Sequence, residues 1–132
     1  MTDHIQVHSR VRIREGELDG FLEAAAKFVE LINGRAGTDS ICCYVDRDTR
    51  TVSWFEVFHN VDGYLAHLAG AEDPAFQALI PEMIPRVEEF ERNELYGPVP
   101  AEVRASLAEM GAKMGFETTW VPAHAGFIGK GR

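Results

Sequence analysis

The chain has 132 residues and a mass of 14.7 kDa, with 45% hydrophobic and 26% charged residues, the size and composition of one folded domain rather than of a disordered chain. Its formal charge of -8 argues against nucleic acid or an anionic membrane surface as partner, because Arg10, Arg12 and Arg14 are too few to make a basic stripe. No apolar run approaches the length of a membrane span, and residues 1–9 lack the apolar core of a signal peptide, so the expected location is the cytoplasm.

Ile5, Val7, Ser9, Val11 and Ile13 alternate with His4, Gln6, His8, Arg10 and Arg12, which predicts a first strand with one apolar face. Leu18, Phe21, Leu22, Ala25, Phe28, Val29 and Ile32 then recur at helical spacing, and Asn33-Gly34 supplies a stop. "SICCYVDRDTRTVSWFEVFHN" reads as a hairpin around a polar turn at Asp46 to Arg50. Closing that turn on Asp48-Thr49 sets Cys43 opposite Trp54 and Ile41 opposite Glu56 on one face, with Tyr44, Ser53, Phe55 and Val57 on the other. Cys42 and Cys43, the only cysteines, are adjacent in this strand and point to opposite faces, so they cannot form an unstrained disulfide and reduced core thiols are expected.

"VDGYLAHLAG" is a short helix, and "DPAFQALIPEMIPRV" a helical stretch interrupted at Pro81 and Pro85. "VEEFERNELYG" is a strand whose polarity suits a sheet edge. The order βαββαβ is the ferredoxin-like pattern, an α+β fold with an antiparallel sheet and helices on one face. Residues 97–132 add a C-terminal extension, an amphipathic helix in "PVPAEVRASLAEMG" and a further strand in "FETTWVP". The whole of 1–132 is read as one domain. Both faces of the hairpin are mostly apolar while one set of helices covers one face, so a second copy of the chain is expected on the other: a homodimer.

The stretch "WFEVFHNVDGYLAHLAG" resembles the antibiotic biosynthesis monooxygenase-like family of dimeric α/β barrels, in which a glutamate and an aromatic two apart precede a short turn and a helix with a histidine. "LYGPVPAEVRASLAEMG" with the later "AGF" is similar to an extension found in some of its members. The resemblance implies oxidation of a small aromatic, phenolic or quinol molecule by molecular oxygen, with no metal, flavin or other cofactor. Where oxygenating members tend to carry an asparagine and a tryptophan this chain has Trp54 and Phe58, and Tyr64 holds the place of their tyrosine. Two other readings accompany it: a non-catalytic dimer that binds a small molecule, and a haem-binding or haem-degrading protein, which requires a histidine facing a wide cavity.

Tyr64 and His67 stand three apart on a helix and are neighbours on its surface. A phenol reacts with oxygen as its electron-rich phenolate, so a histidine base and a tyrosine hydrogen-bond donor suit that chemistry. The structural alternative is a packed tyrosine and a histidine bonded to backbone or carboxylate. Glu56 shares its strand face with Val52, Trp54 and Phe58, and its burial without a partner would cost several kcal/mol or raise its pKa. A dimer-crossing hydrogen bond or ion pair, with an arginine of the first strand, is the expected solution. Trp54, Phe58 and Glu56 are the candidate substrate-binding residues. His8 and His124 are weaker candidates. No His or Asp stands at metal-ligand spacing along the chain, so no metal site is expected.

Overall fold

The computed structural model describes residues 3–70 and 73–122. The elements follow in the order β1 (Ile5–Ile13), α1 (Leu18–Asn33), β2 (Thr38–Asp46), β3 (Thr51–Phe58), α2 (Val61–Ala69), α3 (Pro74–Met83), a 3-10 turn at Ile84–Arg86, β4 (Val87–Tyr96), α4 (Ala101–Met114) and β5 (Thr119–Val121). They build one sheet in the order β2-β3-β1-β4-β5. The first four strands pair antiparallel and β5 adds to β4 in parallel, which completes the ferredoxin-like unit and extends it by one strand. β4, expected at an edge, is therefore internal. Its exposed polar residues lie on the face away from the helices, and the short β5 takes the edge.

The hairpin has the register expected from its turn, with Cys43 opposite Trp54 and Ile41 opposite Glu56. Four residues, 47–50, make the loop. Asp46 Oδ1 accepts the amides of Asp48 and Thr49, and Arg50 closes the turn at a φ of 56°. α3 runs through Pro81 without a break and ends in the 3-10 turn that contains Pro85, so the interruption expected at both prolines occurs at the second alone. Asn60 and Asp73 cap α2 and α3 through their side chains, each accepting a backbone N–H of the first turn.

Alternation along the strands sends Ile5, Val7, Val11 and Ile13 of β1 and Val52, Trp54, Glu56 and Phe58 of β3 to the same face. The helices cover that face. α1 lays Phe21, Ala24 and Ala25 over Trp54 and Val52 in one cluster, and Tyr64 of α2 with Leu107 of α4 packs on Ile5, Phe58 and Leu95 in another. The opposite face has no helix over it among the described residues. It carries Gln6, His8, Arg10 and Arg12 of β1 beside Ser53, Phe55 and Val57 of β3, with Tyr44 of β2 64% exposed. Cys42 is exposed on this face. Cys43 is half-buried against the helix side, where burial pushes its thiol up to about 11, so of the two expected core thiols one is at the surface.

α2 begins against the entry to β2. Gly63 and Gly37 meet backbone to backbone, so closely that a Cβ on Gly63 would lie 2.6 Å from the Gly37 carbonyl oxygen. Gly37 has a φ of 86°, a conformation that glycine adopts without strain.

Candidate functional site

A cavity of about 210 Å³ opens between the sheet, α1, α3 and the segment that follows α4. Its walls are apolar and largely aromatic: Phe21 and Phe28 from α1, Phe76 from α3, Trp54 and Phe90 from the sheet. Phe28 stands edge-on to Trp54 with ring centroids 5.4 Å apart, and Phe76 tilts against Phe28 at 5.5 Å. Met114 and Phe116 bring the C-terminal extension into the wall, and Phe116 rests on Phe90 with centroids 5.6 Å apart. Gly115 between them has a φ of 91°, the left-handed turn that ends α4 and aims Phe116 back toward the sheet.

Three polar side chains reach this apolar space: Ser9, Asn93 and Glu56. Strand pairing sets Ser9 beside both Trp54 and Asn93. The Ser9 hydroxyl donates to Asn93 Oδ1 at 2.9 Å, and Asn93 Nδ2 donates to Thr118 Oγ1 at 2.8 Å. That chain satisfies two of the three. Glu56 is 8% exposed, and none of the hydrogen bonds or ion pairs among the described residues involves its carboxyl. Burial pushes its pKa from 4.5 up to about 7. The arginine partner expected across a dimer is on the wrong side: Arg10 and Arg12 occupy the uncovered face, whereas Glu56 points under the helices. Of the two outcomes open to a buried carboxylate, pairing or a raised pKa, the molecule takes the second.

The other candidates are distributed around the cavity. Trp54 lines it together with Glu56, whereas Phe58, Tyr64 and His67 do not. Phe58 is fully buried, and Tyr64 is buried with its ring 5.2 Å from that of Phe58. His67 leans on Phe58 at 4.9 Å and on the Tyr64 ring at 6.3 Å, so the two residues expected to be neighbours are neighbours. Phe76 stands between this group and the cavity, 6.4 Å from the His67 ring. Burial, with the nearby positive charge of Arg35, lowers His67 from 6.5 to about 4, and its Nδ1 has no hydrogen-bond partner among the described residues. Burial also raises the Tyr64 hydroxyl, helped by the negative charge of Glu56. The base near neutrality expected at His67 is found instead at Glu56.

His8 sits on the uncovered face, bonded to Glu94 at 3.2 Å and stacked on Phe55 at 4.3 Å. His124 lies outside the described residues. Among the described residues no histidine lines the cavity, which leaves the haem reading without an iron ligand there.

No protein-family model matches the sequence, and no curated protein matches it in sequence. Comparison of structures does find relatives in fold. MupZ from Pseudomonas fluorescens superposes with a TM-score of 0.70 over 97% of this chain and 91% of its own, at 20% identity. A protein from Nitrosomonas europaea named "putative antibiotic biosynthesis monooxygenase" gives 0.63 over 73% of this chain and 90% of its own, at 12% identity. One of the same name from Chloroflexus aurantiacus gives 0.57 over 74% and 93%, at 19% identity. The chain thus has the α+β, ferredoxin-like fold of the antibiotic biosynthesis monooxygenase-like proteins. The longer match to MupZ takes in the end of α4 and the segment after it, where Met114 and Phe116 build one wall of the cavity.

Proposed function

We propose that the chain is a cofactor-independent monooxygenase, which takes a small aromatic, phenolic or quinol molecule into the cavity and uses Glu56 as its base. The observation that carries this reading is a buried carboxyl with no partner among the described residues, with a pKa of about 7, on the wall of an aromatic cavity. A base is most effective when its pKa lies near the working pH, and Glu56 meets that condition. The fold shared with proteins named as antibiotic biosynthesis monooxygenases supports the same reading.

In the proposed reaction the substrate enters with its ring between Trp54, Phe28 and Phe76 and its acidic C–H or O–H toward Glu56. Glu56 takes the proton and leaves an electron-rich carbanion or phenolate, which transfers electrons to molecular oxygen. For a methylene carbon beside a phenolic ring, one oxygen atom becomes the new carbonyl. The other leaves as water with the two hydrogens of the methylene. The substrate supplies every electron, so no external reductant enters the balance. Tyr64, His67 and Phe58 act behind the wall, holding Phe76 and the sheet in place. We assign proton transfer to Glu56 in preference to His67, whose imidazole is a weak base at a pKa of about 4 and lies behind Phe76. We also assign the uncovered sheet face, with Tyr44, Phe55 and Val57, to a second copy of the chain, and the protein to the cytoplasm.

The test is oxygen uptake over a panel of hydroquinones and anthrone-like phenols, with ligand binding followed in parallel by tryptophan fluorescence, to which Trp54 on the cavity wall contributes. Wild type is expected to consume oxygen, and Glu56→Gln to lose roughly 10²-fold or more, as removal of a general base does. Binding without oxygen uptake would favour a non-catalytic binding protein. Absence of both would overturn the reading.

A further inference from the structure

The structure holds a second cluster of chemically active side chains, on the other face of the sheet and away from the cavity. His4, Asp39 and His59 come from the leading end of β1, the start of β2 and the residue that follows β3. Pairing of Ile5 with Phe58 sets His4 and His59 side by side, one step beyond the last paired residues. The register shift between Thr38 and Ser40 lets Asp39 turn to the same end. The His59 amide donates to the Gly37 carbonyl at 2.9 Å, which fixes the third backbone against the second.

The side chains converge. His4 Nε2 lies 2.9 Å from Asp39 Oδ2, and His59 Nδ1 lies 3.6 Å from Asp39 Oδ1. One ligand atom from each residue falls within 4.8 Å of the other two. A zinc ion bonded to nitrogen and oxygen at about 2.0–2.1 Å in a tetrahedron needs its ligand atoms roughly 3.3–3.5 Å apart. The two imidazole–carboxylate separations, which run to different oxygens of Asp39, lie on either side of that value, and the exposed His59 ring can bring the third within it by turning about its side-chain bonds.

We propose that His4, Asp39 and His59 form a binding site for a divalent transition-metal cation of the zinc class. Two imidazoles and one carboxylate are the donors that such ions favour over magnesium or calcium, which prefer oxygen alone. Three protein ligands leave a fourth position to water. Because the ligands come from three neighbouring strands, the bound ion ties β2, β3 and β1 together at one end of the sheet. The net charge of -8 favours a dication. The site is separate from the cavity, since the strand alternation that points Glu56 under the helices points His59 to the uncovered face.

The experiment is calorimetric titration of untagged, chelator-treated protein with zinc(II) at pH 7.5, accompanied by thermal melts. Wild type is expected to bind one equivalent of zinc per chain with micromolar or tighter affinity and to melt at a higher temperature with zinc than without it. His59→Ala and Asp39→Asn should weaken binding by about 100-fold or more, since loss of a ligand exceeds the 10–100-fold cost of losing an outer partner of one. Both should abolish the zinc-dependent rise in melting temperature. His8→Ala, on the same face but outside the cluster, should bind as wild type does. Equal binding by wild type and His59→Ala would place the ion elsewhere and overturn the proposal. So would the absence of saturable binding below about 100 µM.

Discussion

Replacing Glu56 by glutamine keeps the size of the side chain and removes its proton equilibrium. In the folded protein burial moves the carboxyl from 4.5 to about 7, so ionising it there is harder by roughly 3 kcal/mol than in the unfolded chain. Between those pH values the folded state holds a proton that the unfolded state has released, so stability falls as pH rises from about 4.5 and the loss is complete a little above 7. Below 4.5 the group contributes no difference. Glu56→Gln should therefore match wild type near pH 4 and exceed it by up to roughly 3 kcal/mol near pH 8. Urea unfolding of both proteins at half-unit steps from pH 4 to 8.5 measures this, and the other carboxylates cancel in the difference curve because they are common to both. A flat difference across that range would show that Glu56 ionises normally. The case for it as a base poised near neutrality would then be lost.

His67→Ala should lower the unfolding free energy by about 0.5–3 kcal/mol through lost packing on Phe58 and Phe76. Oxygen uptake at matched folded concentration should stay within about threefold of wild type, because the imidazole does not reach the cavity; a loss as large as that expected for Glu56→Gln would return the base role to His67. Gly63→Ala should destabilise by about 1–3 kcal/mol in urea, since its Cβ meets the Gly37 backbone at 2.6 Å and neither strand nor helix can withdraw freely; an unchanged midpoint would mean that this approach is looser than described. Light scattering at micromolar concentration should give twice the 14.7 kDa chain mass, and Tyr44→Glu on the uncovered face should shift it toward the single chain; a wild-type monomer would remove the dimer from the proposal.

The strands and helices were readable because period-two and helical spacings run cleanly from Ile5 to Tyr96, and a four-residue turn determines the hairpin register residue by residue. The place of Glu56 on the Trp54 face was readable in the same way. What periodicity does not contain is which face the helices cover, and so the arginines of β1 were expected beside a carboxyl from which the sheet separates them. Ser9 reads as an interruption of the apolar face until β4 sets Asn93 next to it, 84 residues away. His4, Asp39 and His59 show no ligand spacing along the chain, because their proximity is created by strand adjacency and by the register shift at Thr38. His67 reads in the sequence as a titratable group on an apolar helix, but how far burial moves it depends on neighbours that its own helix does not name.

The cavity wall contributed by Met114 and Phe116 has a consequence for how such a pocket can change over generations. The carboxyl belongs to the central strands, where each side chain is held by partners on both sides and a new residue disturbs the core. The wall that faces it hangs on one glycine turn at the end of a helix whose outer surface is largely in water. In the proposed reaction, substitutions or insertions near Gly115 would reshape the space offered to a ligand while leaving proton chemistry untouched. On that proposal, choice of molecule and capacity to react would be inherited from different parts of the polypeptide, free to drift independently.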